Sequence, residues 1–171
     1  MNGIRITQAT VTDVTIIRQL AIASWWPAYG NYLPHGQIRL MLEKIYSERA
    51  LIAQLEAGQL FLLAYRDDEV VGFTGLTKKA ETPGVVRVEK LYVLPSEQGK
   101  GTGKSLLDAA ENYARDVTAS RLELHVNRYN PAKAFYEKQG FVVVQEIDIP
   151  YHDYVLNDYI MQKAVGYGSE N

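Results

Sequence analysis

The segment Gln98-Gly99-Lys100-Gly101-Thr102-Gly103-Lys104-Ser105 constrains this chain more than any other. It joins an apolar run, Val85 to Leu94 closed by Pro95, to an amphipathic stretch over 99–117. The apolar stripe of that stretch is Leu106, Ala110, Tyr113, Ala114 and Val117. A strand that turns through three alternating glycines into a helix presents backbone, not side chains, to whatever binds there. The helix start leaves about four N–H groups without intrahelical partners, and together with the helix dipole they attract an anion. A pyrophosphate is the natural ligand; a tight turn carrying two solvated lysines is the plain alternative.

The flanking sequence alternates less regularly than a βαβ protein does. Ile4-Arg5-Ile6 reads as a strand, and Thr12-Asp13 offers an N-cap to a helix with Val14, Ile17, Leu20, Ala21 and Ser24 on one face. Trp25 to Pro34, with two prolines, reads as a loop or short helical turn, and Gln37 to Glu56 as two helices divided near Tyr46-Ser47 and stopped by Gly58. Leu60 to Tyr65 and Val70 to Phe73 form a hairpin about Asp67-Asp68. Beyond the amphipathic stretch come a strand, Leu122 to Val126, a short helix ending at Gly140, and two strands at about 141–149 and 153–162. The order predicts an α/β fold with a mixed sheet. With 171 residues and no linker or repeat, one domain is expected over 1–171.

Composition excludes several chemistries. There is no cysteine, hence no disulfide framework, thiol nucleophile or thiolate zinc site. His35 and His152 fit no metal-ligand spacing, so no metal is expected. A net charge of −2 gives no general attraction to nucleic acid or acidic lipid. The uncharged stretch between Arg18 and Arg39 is interrupted by Pro27, Gly30, Asn31 and Pro34, which argues against membrane insertion. With no signal-peptide pattern, a soluble cytoplasmic protein is expected.

Three phosphate-binding patterns compete for the glycine turn. A P-loop requires Gly where Gln98 stands, and a dinucleotide fingerprint fails in both frames, ending on Lys104 or Leu106. Gln-x-x-Gly-x-Gly is met in full by Gln98, Gly101 and Gly103. A second block runs from Val126 through Asn127, Asn130, Phe135 and Tyr136 to Gly140-Phe141. Together these closely resemble the two cofactor half-sites of the GNAT acetyltransferases. Val70 to Phe73 and Glu89 to Val93 stand where related enzymes carry such strings, and the likeness spans roughly residues 60–163. It is nearest to small bacterial members grouped with polyamine acetyltransferases, whose chains end similarly to Asn157-Asp158-Tyr159-Ile160-Met161. One departure stands out: relatives place the capping Asn seven positions before the Tyr, whereas Asn130 is six before Tyr136.

The resemblance implies a central mixed, mostly antiparallel twisted sheet flanked by helices. It implies acetyl transfer from acetyl-CoA, as co-substrate, to a primary amine by direct attack. The acceptor would be a small-molecule amine, a polyamine among them, or a protein N-terminus. Family members are often dimers, so a homodimer fits. Gln98, Gly99, Lys100, Gly101, Thr102, Gly103, Lys104 and Ser105 would hold the pyrophosphate. A backbone amide in Leu91, Tyr92 or Val93 would polarise the thioester carbonyl, and Asn130 would reach the cofactor. Tyr136 would protonate the departing thiolate, and Glu89, acting through water, would accept the amine's proton, with His125 as the competing base. Trp25, Trp26, Tyr29 and Tyr32, with the Asp148 to Asp158 end of the sheet, would suit a cationic amine; packing between two helices is the bland alternative. Two rivals remain at this stage: an acyl-CoA-binding module without catalysis, which needs neither Tyr136 nor Glu89, and a nucleotide phosphotransferase, which needs Gly at 98.

Overall fold

A computed structural model describes residues 3–79 and 81–166 of the 171. Seven strands and five helices follow in the order β1 (Ile4–Gln8), α1 (Val14–Tyr29), α2 (His35–Tyr46), α3 (Glu48–Glu56), β2 (Leu60–Arg66), β3 (Glu69–Lys78), β4 (Val85–Val93), α4 (Thr102–Asp116), β5 (Arg121–Asn127), α5 (Ala132–Lys138), β6 (Val142–Tyr151) and β7 (Tyr154–Ala164). The strands form one sheet in the order β1-β2-β3-β4-β5-β7-β6. β1 with β2, β2 with β3, β5 with β7 and β6 with β7 run antiparallel, and β4 with β5 runs parallel. The mixed, mostly antiparallel α/β sheet flanked by helices is therefore present.

The chain divides into two compact units, and it crosses between them within β3, after Thr77, within β4, after Glu89, and within α4, after Ala109. The first unit (residues 1–77 and 90–109) is built on a core of Ile17, Ala21, Ile38, Leu51, Phe61 and Phe73. Here the structure departs from the sequence reading: α1 continues through Trp25 and Pro27 to Tyr29 instead of breaking at Trp25. Pro27 removes one hydrogen bond near the helix end. That loss is small beside what the extra turn buries, since Trp25 is 4% exposed and packs its ring 4.7 Å from that of Tyr29. Within the same unit β3 bulges at Val71, and a Cβ on Gly72 would sit 2.9 Å from the Tyr92 carbonyl oxygen. Only glycine lets β4 come that close.

In the second unit (78–89 and 110–171), register sorts the strands into two faces. Arg87 pairs with Glu123, Glu123 with Gln162, His125 with Ile160 and Asn127 with Asp158, so these side chains share one largely polar face. The opposite face is apolar: Val86, Leu122, Leu124, Val126 and Met161 are buried there. β6 ends the strand order, with Val142, Val143 and Val144 exposed and a register shift between Val143 and Gln145.

Candidate active site

The glycine turn lies in the first unit, and its helix begins at Thr102, three residues later than periodicity suggests. The delay comes from the glycines. Gly99 and Gly101 adopt φ of 79° and 83°, left-handed values that keep residues 98–101 in a turn. Gln98, Gly99, Lys100 and Gly101 are exposed, and a Cβ on Gly99 would meet nothing within 4 Å. The first backbone bond of the helix runs from Ser105 N to Gly101 O, 3.0 Å. Among the described residues no hydrogen bond leaves the amides of Thr102, Gly103 or Lys104. Three open N–H groups at a helix start, with the Lys100 and Lys104 ammonium groups nearby, fit a pyrophosphate. Lys104 also pairs with Asp108 at 3.0 Å across one helical turn.

The turn rests on a brace that sequence reasoning missed. Glu97, 5% exposed, accepts Arg66 Nε on both carboxylate oxygens at 3.0 and 3.1 Å, and the Thr102 hydroxyl donates to it at 2.7 Å. Thr102 is fully buried, so one carboxylate ties β2 to the first residue of α4 and sets where the glycines end. Arg66 above all, with the Thr102 hydroxyl assisting, holds the Glu97 carboxyl below its usual range against the opposing effect of burial. A charged residue in the run Pro95-Ser96-Glu97-Gln98 looks solvated in the sequence, and its partner stands 31 positions away.

Leu91, Tyr92 and Val93 lie in the same unit, at the end of β4. The Val93 carbonyl accepts the Ser24 hydroxyl at 3.4 Å, and the Tyr92 and Tyr29 hydroxyls bond at 2.8 Å. Of the four aromatics assigned to an acceptor pocket, Trp25 is a core residue, ringed by Tyr29, Tyr46 and Tyr92. Trp26, Tyr29 and Tyr32 are half-buried.

Glu89, His125, Asn130 and Tyr136 belong to the second unit. The β4–β5 ladder ends at Val88↔Leu124, although β4 runs on to Val93 and β5 to Asn127. Glu89 and His125 are the first residues past that end, on the polar face. Glu89 is held by Arg87, Nε to Oε1 3.3 Å. Burial first, then Arg87, pushes the His125 ring down to about 4, against the pull of Glu123 and Glu89, so it is neutral at neutral pH. Tyr136 sits on α5, which packs on β5, with its ring 5.8 Å from that of Phe141. Burial pushes its phenol up, which keeps the proton on it across the neutral range. The helix closes as the sequence indicates: Gly140 takes φ of 98° and Phe141 N bonds Tyr136 O at 3.0 Å. The one-residue shift at its start also has an explanation. Asn130 Oδ1 accepts the Ala132 amide at 2.9 Å, and Asn127 Oδ1 accepts the Tyr129 amide at 2.9 Å, so two Asx turns in series lead into α5, whose N-cap residue is Pro131.

No group of three or more metal-binding side chains occurs among the described residues, and none of their helices is long and apolar enough to cross a membrane. The model of the acetyltransferase (GNAT) family matches residues 20–141. Spermidine N(1)-acetyltransferase of Thermoplasma acidophilum is 28% identical over 167 residues, 94% of this chain and 97% of that one. An uncharacterised N-acetyltransferase of Lactobacillus delbrueckii subsp. lactis is 26% identical, covering 96% and 99%. Among solved structures, the PaiA N-acetyltransferase of Thermoplasma acidophilum in complex with coenzyme A superposes with a TM-score of 0.81 at 27% identity, covering 94% of this chain and 98% of that one.

Proposed function

We propose, from the premise that this chain belongs to the GNAT family and is an acetyl-CoA-dependent N-acetyltransferase, that it acetylates a primary amino group of a small amine of the polyamine class. The observation that carries the reading is the turn over residues 98–105, with two left-handed glycines and three open amides at a helix start. Gln98 to Ser105 bind the pyrophosphate, and Lys100 and Lys104 add positive charge. A backbone amide of the Leu91–Val93 stretch orients the acetyl carbonyl. Asn130, whose side-chain oxygen is already used by Ala132, offers its NH2 to the cofactor. Acetyl-CoA supplies the activated acyl group when bound. Glu89, through water, takes the proton that the amine must lose, and Tyr136 gives one to the sulfur that leaves. The Thermoplasma relative, a spermidine N(1)-acetyltransferase, supports the polyamine class. The protein works in the cytoplasm, a setting with which a chain free of cysteine is compatible.

The test is free-thiol release from acetyl-CoA across spermidine, a monoamine, an amino acid and a peptide with a free N-terminus. Spermidine should be consumed fastest. Gly101→Val should abolish both thiol release and the thermal stabilisation given by acetyl-CoA, read against the variant's own ligand-free midpoint, which the strain of a β-branched residue at φ 83° lowers. Thiol release with no amine at all, or full protection in Gly101→Val, refutes the reading.

A further inference from the structure

Resting on that reading, we infer that Asp158 anchors a second, non-reacting ammonium group of the acceptor, so that the substrate is a diamine or polyamine rather than a monoamine. Asp158 lies on β7 opposite Asn127, on the polar face of the second unit. Its side chain is only 13% exposed, and among the described residues its one ion-pair contact is His125 Nδ1 at 3.8 Å. Among the described residues no hydrogen bond reaches its carboxylate.

Other carboxylates of this unit have a cation of their own. Glu89 has Arg87 at 3.3 Å, Glu123 has Lys79 at 2.8 Å and Asp148 has Arg128 at 2.7 Å. Glu123 also accepts Gln162 Nε2 at 3.0 Å, and Asp148 accepts Asn157 Nδ2 at 2.9 Å. Asp158 has none of this. His125 is neutral and brings no charge. Arg128 and Arg87 lie near enough to favour the ionised carboxyl, but burial outweighs them and raises it. A carboxylate taken out of water without donors is costly, and an alkylammonium ion supplies both the charge and the N–H groups it lacks.

The ammonium that satisfies Asp158 cannot be the one that reacts. The nucleophile must shed its proton, whereas a carboxylate partner holds the proton on an amine. The anchored group is therefore a second amine of the same molecule, and the matched probes are 1,4-diaminobutane and n-butylamine. In Asp158→Asn the shape is kept and the charge is lost. The KM for 1,4-diaminobutane should rise at least about tenfold, the usual scale for a lost charged hydrogen bond. The kcat/KM for n-butylamine should stay within about twofold of wild type, and acetyl-CoA should still stabilise the variant. Equal losses with both amines would make Asp158 part of the proton transfer or the scaffold, and no change with either would make it a spectator; each overturns the inference. If the wild type releases thiol with neither probe, the thermal-shift titration with 1,4-diaminobutane decides. Stabilisation lost in Asp158→Asn supports the anchor even as the acetyltransferase reading fails, and no stabilisation of the wild type overturns it.

Discussion

The proton equilibrium of His125 is the most quantitative consequence of the polar face. Its ring is driven from an ordinary 6.5 down to about 4 by burial and by Arg87. Between those two values the unfolded chain binds a proton that the folded one does not, so folding stability rises with pH across that window. The contribution is complete above about 6.5 and is lost as pH falls toward 4. At about 1.4 kcal/mol per pH unit the full shift is worth about 3 kcal/mol. Solvent reaching a ring that is 17% exposed lowers this to about 1–3 kcal/mol. Asp158, raised by burial, acts in the opposite sense, with stability lost as pH rises through the carboxylate range. Comparing wild type with His125→Asn, in which Asp158 and Glu123 remain, isolates the histidine. Urea unfolding at pH 7, 6, 5 and 4.5 should show the wild type losing about 1–3 kcal/mol more than the variant. The imidazole C–H resonances of His125 should titrate near the lower value. Titration near 6.5, or parallel pH dependence in the two proteins, would refute the burial argument.

Two further outcomes are expected. Tyr136→Phe keeps the ring that packs on Phe141 and removes only the hydroxyl, so kcat should fall at least about tenfold with acetyl-CoA affinity nearly unchanged; a wild-type rate while chemistry is limiting would remove the phenol from the mechanism. Glu97→Gln cannot accept both Arg66 and Thr102 as the carboxylate does, so the KM for acetyl-CoA should rise about tenfold in steady-state kinetics while kcat at saturation holds. An unchanged KM would mean that the turn holds its shape without the brace.

What the sequence disclosed were the places where backbone geometry demands a particular residue. Gly99, Gly101 and Gly140 announce left-handed turns because few other residues tolerate them, and the turn and the end of α5 were legible for that reason. Pairings set by tertiary register left no such mark. Glu97 and Arg66, or His125 and Asp158, are ordinary charged residues until the strands are aligned. The extension of α1 through Pro27 was illegible for a related reason: a local breaker was outweighed by burial of Trp25 against Tyr46 and Tyr92, neither of them nearby in sequence.

The register shift in β6 bears on how this protein behaves when concentrated. An outermost strand that begins with three exposed valines invites a neighbouring molecule to add a strand of its own. Val144 stands unpaired within that run, which kinks the strand where it is stickiest. Farther along, Glu146 and Asp148 put like charges on the strand, and Pro150 withholds an N–H. Deleting Val144 would straighten the ladder and remove the kink, leaving a flat apolar margin on which fibrillar stacking could start.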